Sequence, residues 1–281
     1  MLLTVEERKA RIASVFNRVA DQYDGAGVDY FTPLGRDLVV ATGVAPGDRV
    51  LDVGCGRGAC LFPAAEAAGP AGEVVGVDLS ANMVARTNAD IARRGVRNAR
   101  AIQGDAEALD LPPASFDVVV SGMAMFFLPD PAAALRDLHD LLRPGGRIGF
   151  SSFSGDDERW EVLYEALEPY LPPGAELRRH IAPPDHPFHL TSTLTRMLVD
   201  AGFTEARHVH EPFTVRFRDP QQWWDWSWAN GQRAVLERIP AEQLPAARQA
   251  ALSALSRLRE PDGTLELRVV ARFSLGRRRA T

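Results

Sequence analysis

The run Val50-Leu51-Asp52-Val53-Gly54-Cys55-Gly56-Arg57-Gly58 holds the residues best suited to grip a ligand. An acid closes a short apolar segment, and glycine then stands at every second position. An apolar segment of helical character, Ala59 to Ala68, comes next. Strand, glycine turn and helix N-terminus in this order bring backbone N–H groups close to a bound molecule. A glycine lacks the Cβ that would block that approach. Gly54, Gly56 and Ala59 also satisfy the G-x-G-x-x-G/A pattern of dinucleotide-binding turns, so a nicotinamide or flavin cofactor stays open at this point. Two further acids stand at the ends of strand-like runs. Asp78 ends Glu73-Val74-Val75-Gly76-Val77-Asp78, placed to take ribose hydroxyls, and Asp105 follows Gln103-Gly104.

Other reactive side chains carry less. Cys55 and Cys60 are read as small residues packing helix on strand rather than as a redox pair, and metal-ligand spacing is absent. His180, His186 and His189 form the one imidazole cluster; with His208 and His210 they are the pool for a general base, His186 and His189 foremost. His139, between Asp137 and Asp140, reads as a surface helix residue.

At 281 residues and 46% hydrophobic content the chain can bury one good core, and we expect a single domain. No run approaches the roughly 18 apolar residues of a membrane span, and the charged stretch from Met1 to Arg11 is no secretory signal. The cytoplasm is the expected compartment. A net charge of −5 speaks against a nucleic-acid partner, which calls for a basic face. Arg277-Arg278-Arg279 reads as a solvated end, and Lys9, the only lysine among 32 basic residues, as codon bias.

Elements must position these residues. Thr4 and Glu7 form a capping box that starts a helix with an apolar stripe at Ile12, Val15, Phe16 and Val19. Ser80 and Asp130 are natural N-caps, the latter with Pro131 behind it. Asn98 to Gly104 reads as an edge strand, and Phe116 to Ser121 as a central strand buried on both faces. Pro144-Gly145-Gly146 is expected to end a helix, with a fifth strand from Arg147 to Ser152. Trp160, Leu163, Leu167 and Tyr170 suggest an amphipathic helix inside a 153–190 insert, with loops at Pro172-Pro173 and Pro183-Pro184. Thr191 to Gly202 is a helix stopped by glycine. Pro212 confines its strand to a sheet edge or bulge. Asp219-Pro220 opens a helix carrying Trp223, Trp224, Trp226 and Trp228. One tryptophan pair packs on the domain; the other lines an aromatic pocket or a dimer seam, or all four are core. The period-two run Leu265, Leu267, Val269, Ala271, Phe273, Leu275 is the last strand.

Asp52-x-Gly54-x-Gly56, Asp78, Gly104-Asp105-Ala106, Phe116 to Ser121 and Leu141 to Ile148 together resemble the class I S-adenosylmethionine (SAM) methyltransferases, most narrowly the ubiquinone/menaquinone-methyltransferase-like (type 11) group. The resemblance is close over residues 11 to 155. It implies a Rossmann-like α/β fold: a seven-stranded, mostly parallel sheet with helices on both faces, an antiparallel seventh strand and an N-terminal helical lid. The implied divisions are a lid over 1–45, a SAM-binding core over 46–152, a substrate-side insert over 153–190, and a C-terminal helix and strand pair with a Trp-rich insert over 191–281. Phe16-Asn17-Arg18-Val19-Ala20-Asp21-Gln22-Tyr23-Asp24 matches the family's lid stretch. Carried over residue by residue, the resemblance places Tyr23, Asp52, Gly54, Cys55, Gly56, Asp78, Leu79, Met83, Gly104, Asp105, Ala106 and Ser121 around the cofactor, Asp105 on the adenine amino group and Met83 beside the adenosine. It places Tyr30, Phe31, Met123, Met125, Phe126 and Phe127 against the substrate, and the tryptophan helix adds Trp223 and Trp226. Many relatives carry a histidine near Met125 to Phe127; its absence here weakens a general base in that loop and suggests a greasy acceptor.

Methyl transfer from a sulfonium mainly requires that nucleophile, carbon and sulfur be held in line, and a base only when the nucleophile must lose a proton. No catalytic residue is therefore assignable; Tyr23, His186 and His189 are the candidates. The expected activity is methylation of O or C on a small aromatic, polyketide, terpenoid or quinone-like molecule in specialised metabolism, releasing S-adenosylhomocysteine, without metal, by a monomer or homodimer. Two alternatives remain at this point: the same fold binding SAM while catalysing a cyclisation, and a nicotinamide-dependent oxidoreductase.

Overall fold

A computed structural model describes residues 4–23, 26–172 and 187–280. His180, His186 and the second proline pair lie outside the described residues.

Helix α1 (Val5–Val19) starts as the capping box requires: Thr4 Oγ1 accepts from the Glu7 amide and Glu7 answers to the Thr4 amide. Helix α2 (Phe31–Thr42) ends on Gly43 in the left-handed region. There follow β1 (Arg49–Val53), α3 (Leu61–Ala68), β2 (Glu73–Asp78), α4 (Ala81–Arg94), β3 (Ala99–Gln103) and β4 (Phe116–Ser121). Helix α5 (Pro131–Leu141) runs into β5 (Leu142–Asp156), then come α6 (Glu158–Leu167), α7 (Thr191–Asp200) and β6 (Thr204–Phe217). Helices α8 (Pro220–Trp228), α9 (Arg233–Leu236) and α10 (Leu244–Ser256) precede β7 (Leu265–Arg277).

The seven strands form one sheet in the order β3-β2-β1-β4-β5-β7-β6. β1 to β5 pair in parallel, and β7 is antiparallel to both its neighbours. The pleat sorts alternate residues into two cores. Val50, Val74, Val118 and Val120 join the core under α2, α3 and α6, while Leu51, Val53, Val75, Val77 and Val119 join the core under α5 and α7. β3 is an edge, β4 is central, and Pro212 sits on edge strand β6, as their residues require. Ser80, Asp130 and Asp219 all cap their helices through side-chain oxygens.

Both ends of the fifth strand move. β5 begins at Leu142, before Arg147, because Leu142 pairs with Phe116 and the register then shifts before Val118 meets Arg147. Pro144-Gly145-Gly146 is thus absorbed as an irregularity inside the strand instead of preceding it. β5 runs past Ser152 to Asp156, because Phe153, Gly155 and Asp156 still pair with β7.

Candidate functional site

A cleft opens beyond the carboxyl ends of β1, β2, β3 and β4, where open α/β sheets hold ligands. About 820 Å³ of space is bounded by Gly54, Gly56, Asp78, Leu79, Gly104, Asp105 and Ala106 from below and by Lys9, Ile12, Phe16 and Tyr23 from above. The glycine turn is built for close approach. Gly54 has φ +69°, and a Cβ there would sit 2.4 Å from that of Ala124. Gly56 also lies in the left-handed region; its amide donates to Asp78 Oδ2 at 2.8 Å, and its carbonyl accepts from Thr87 Oγ1 at 2.6 Å. The Ser80 amide donates to Asp78 Oδ1 at 2.9 Å. Asp78 is therefore fixed in orientation while lining the cleft. Burial raises its pKa, and these two amides work against that shift.

The lid helix is tied down by polar contacts rather than by apolar packing alone. Asn17 Oδ1 accepts from Ser80 Oγ at 2.7 Å and from the Asn82 amide at 3.1 Å. Arg57, in the glycine turn, donates to the Ala20 carbonyl and pairs with Asp90. Lys9 Nζ lies 2.7 Å from Asp105 and 2.6 Å from Glu107, at the end of the cleft nearest β3. Burial of Lys9 would lower its pKa, but hydrogen bonds to the two carboxylates outweigh that and raise it. The sequence reading missed Lys9, Asn17 and Arg57, because each earns its place through partners far away in the chain.

Four residues expected around the cofactor lie behind the cleft wall instead. Asp52 shares the face of Val50, and period-two alternation turns its carboxylate away from the cleft and under the turn. It is 1% exposed, and neither oxygen has a hydrogen-bond partner of good geometry among the described residues. Burial, reinforced by the charge of Asp78, pushes its pKa up to about 8; the nearby Leu61 amide only moderates this. Cys55 packs on β2, its sulfur within 2.8 Å of where a Cβ of Gly76 would lie. Met83 is fully buried with Val19 and Ala20 beneath the lid. Ser121 donates to the Val53 carbonyl at 2.8 Å, tying β4 to β1. Cys55 and Cys60 are free and buried, and burial with the Asp52 charge pushes both thiols well up, as packing residues require.

A second cavity of about 750 Å³ adjoins the first. Its walls are aromatic: Tyr30, Phe31, Phe126, Phe153, Trp160, Tyr164 and Trp226. Phe16, Tyr23, Met123 and Phe127 line both spaces and form the partition between them. Tyr23 stacks on Phe31 at 4.8 Å, and Phe16 meets Phe127 edge-on at 5.5 Å. Met123 holds φ +53°, an uncommon conformation for a non-glycine residue, with its amide donating to Ser151 Oγ at 2.9 Å. Two expected substrate contacts fall elsewhere. Met125 faces the first cleft from a fully buried position. Trp223 is enclosed in the core, because α8 is covered both by β6 and by α10 and so has two buried faces.

His189 and the imidazoles of β6 line neither cavity. His208 sits between Thr195 Oγ1 at 2.8 Å and Ser274 Oγ at 2.9 Å, and burial followed by the Arg272 charge lowers its pKa. Among the described residues no group of three or more His, Cys, Asp or Glu side chains could hold a metal ion, and no helix is long and apolar enough to cross a membrane.

The sheet order, the antiparallel seventh strand and the glycine cleft define the Rossmann-like class of SAM methyltransferases. A family model described as a methyltransferase domain matches residues 50–146. Nocamycin O-methyltransferase of Saccharothrix syringae is 37% identical over 83% of this chain and 86% of its own. Aklanonic acid methyltransferase DauC of a Streptomyces species is 41% identical over 59% of this chain and 71% of its own. The crystal structure of the YcgJ protein from Bacillus subtilis has the same fold, with a TM-score of 0.58, 19% identity, and coverage of 87% of this chain and 98% of that one. The chain belongs to the methyltransferase-domain family and is a SAM-dependent methyltransferase. That membership overturns the oxidoreductase reading of the glycine pattern, and relatives named as methyltransferases do not favour cyclisation.

Proposed function

We propose that this enzyme methylates an oxygen of a small, largely aromatic molecule, with SAM in the first cleft and the acceptor in the second. The observation that carries the reading is the meeting of the two spaces at Phe16, Tyr23, Met123 and Phe127: one is lined with acids and bare glycine backbone, the other with aromatic rings. By their names the two relatives act on nocamycin and on aklanonic acid, and the first of them on oxygen. A natural-product acceptor in specialised metabolism is the fitting extension.

The residues present suit the cofactor. Asp78, held by two amides, suits a ribose diol; Asp105 suits an exocyclic amine; and the turn at Gly54 and Gly56 leaves room for a chain to lie against backbone. A bound SAM supplies an electrophilic methyl group on a positively charged sulfur. The chain then has three tasks. The acids and the glycine turn fix one partner, the aromatic walls fix the other, and the lid with Phe16 and Tyr23 excludes water from the partition. Holding two reactants in register can contribute about 7–11 kcal/mol to a displacement without any proton transfer. No base is needed where the acceptor oxygen is already ionised.

Calorimetric titration with SAM, S-adenosylhomocysteine and NADH tests the cofactor assignment. Micromolar binding of both adenosyl ligands and none of NADH is expected. Acceptors are then screened by product mass for the gain of one methyl group. Absence of adenosyl binding would remove the reading of the first cleft.

A further inference from the structure

The aromatic cavity is lined by a carboxamide whose hydrogen-bonding capacity is unspent among the described residues. Trp160 Nε1 donates to the Arg268 carbonyl at 3.0 Å. The Asn230 carboxamide is used up in its own turn: Nδ2 donates to the Trp226 carbonyl at 2.7 Å, and Oδ1 accepts from the Gln232 amide at 2.8 Å. Gln232 lines the same cavity, and its side-chain carboxamide has no hydrogen-bond partner among the described residues.

The turn that carries it is fixed in place. Asn230 is 3% exposed and locks residues 230–232 from inside. A Cβ added at Gly231 would lie 3.8 Å from the tip of Phe16 and 3.9 Å from that of Phe127. Both rings belong to the partition between the two cavities, so the turn abuts the place where they meet. Glu237, one turn further on, is gripped by Arg233 and by Arg18 of the lid, which fastens this turn to α1.

We propose that Gln232 positions the acceptor: its carboxamide hydrogen-bonds an oxygen of a planar, oxygenated aromatic molecule, and so selects which neighbouring oxygen is presented at the partition. This rests on the assignment of the second cavity to the acceptor. The aromatic walls recognise a flat ring system of any kind by area and stacking. Stacking and area alone do not distinguish one edge of it from another. A carboxamide offers both donor and acceptor, so it matches a carbonyl or hydroxyl on the ring edge and leaves a hydrocarbon edge unmatched.

The test compares wild type with Gln232→Leu, which keeps the bulk and removes the polar atoms. Enzyme saturated with S-adenosylhomocysteine is titrated, by tryptophan fluorescence, with two probes: rhein, a hydroxyanthraquinone carboxylate, and an anthracene carboxylate of similar outline without ring oxygens. Wild type is expected to favour rhein by about tenfold, the scale of a neutral hydrogen bond near 1.4 kcal/mol. Gln232→Leu should abolish that preference by weakening rhein alone, with S-adenosylhomocysteine affinity and melting temperature unchanged. A merely structural role would shift both probes together. Preference retained in the variant overturns the role of Gln232 and leaves the cavity assignment standing. Failure of wild type to bind either probe, with S-adenosylhomocysteine bound, overturns the cavity assignment itself and the inference with it.

Discussion

Asp78 and Asp52 stand at the ends of adjacent strands and have opposite circumstances. Asp78 lines the cleft and is held by the Gly56 and Ser80 amides; Asp52 is sealed behind it with no well-formed hydrogen bond among the described residues. If Asp78 carries ribose hydroxyls, Asp78→Ala should weaken S-adenosylhomocysteine binding by about 1–3 kcal/mol, read by calorimetry. Wild-type affinity in that variant would sink the assignment. Asp52 gives a stability prediction with a definite sign. Its folded pKa is about 8 against an ordinary 3.8. Near pH 4 and below, the folded and unfolded states hold the same proton. Between there and about pH 8 only the folded state keeps it, so stability falls as pH rises through this window. Asp52→Asn cannot ionise, so its melting temperature relative to wild type should climb from pH 5 to pH 8 and level off above. A difference independent of pH would show that Asp52 does not titrate in that window.

At the scale of elements, helix α1 is held over the cleft by individual polar contacts. Helix α1 meets the cleft through Lys9 on Asp105 and Glu107, and through Asn17 on Ser80 and Asn82. These pairs are partly solvated, where ion pairs contribute little to global stability, so their effect belongs to local opening. Lys9→Gln is expected to speed S-adenosylhomocysteine release about 3- to 10-fold in stopped-flow displacement while the melting temperature changes by less than about 2 °C, the shift of roughly half a kcal/mol. Unchanged release would mean that α1 is held by its apolar stripe alone. The capping box and that stripe were legible in sequence because both are short-range patterns. The early start of β5 was not, since a strand that absorbs Pro144-Gly145-Gly146 does so only because Phe116 is there to pair with Leu142.

For the molecule as a whole, Arg272 shows how distant segments are joined. Its guanidinium is 1% exposed and has no carboxylate partner among the described residues. It donates to Ser152 Oγ, to the Phe153, Phe188 and His189 carbonyls and to Thr191 Oγ1, binding β5, β7 and the segment before α7 together. Burial lowers its pKa from the ordinary arginine value. Arg272→Leu removes every one of those donors and leaves buried acceptors behind, so unfolding stability should drop by about 2–4 kcal/mol in a urea titration. A loss under about 1 kcal/mol would show that water replaces the guanidinium freely.

The amino-acid sequence by itself determined the succession of the seven strands, the caps at Thr4, Ser80, Asp130 and Asp219, the edge position of Pro212 and the placing of Asp78 and Asp105 at strand ends, while helices α2 and α10 were not read from it. Each is a short-range pattern in which local backbone chemistry and period-two or helical spacing leave one solution. Tertiary structure decided which side of a strand faces the cleft, and so moved Asp52, Cys55, Met83 and Ser121 behind it. It also decided that both faces of the tryptophan helix are covered, which put Trp226 in the aromatic cavity and Trp223 in the core. The Asn230–Gln232 turn lacks any periodic signal, and it reaches the partition only because the chain after α8 returns to α1, with Gly231 beside Phe16 and Glu237 on Arg18. Such contacts join residues up to 219 positions apart, as in Arg18 on Glu237. They arise from the closing of the whole sheet and its helices, which no local window of sequence contains.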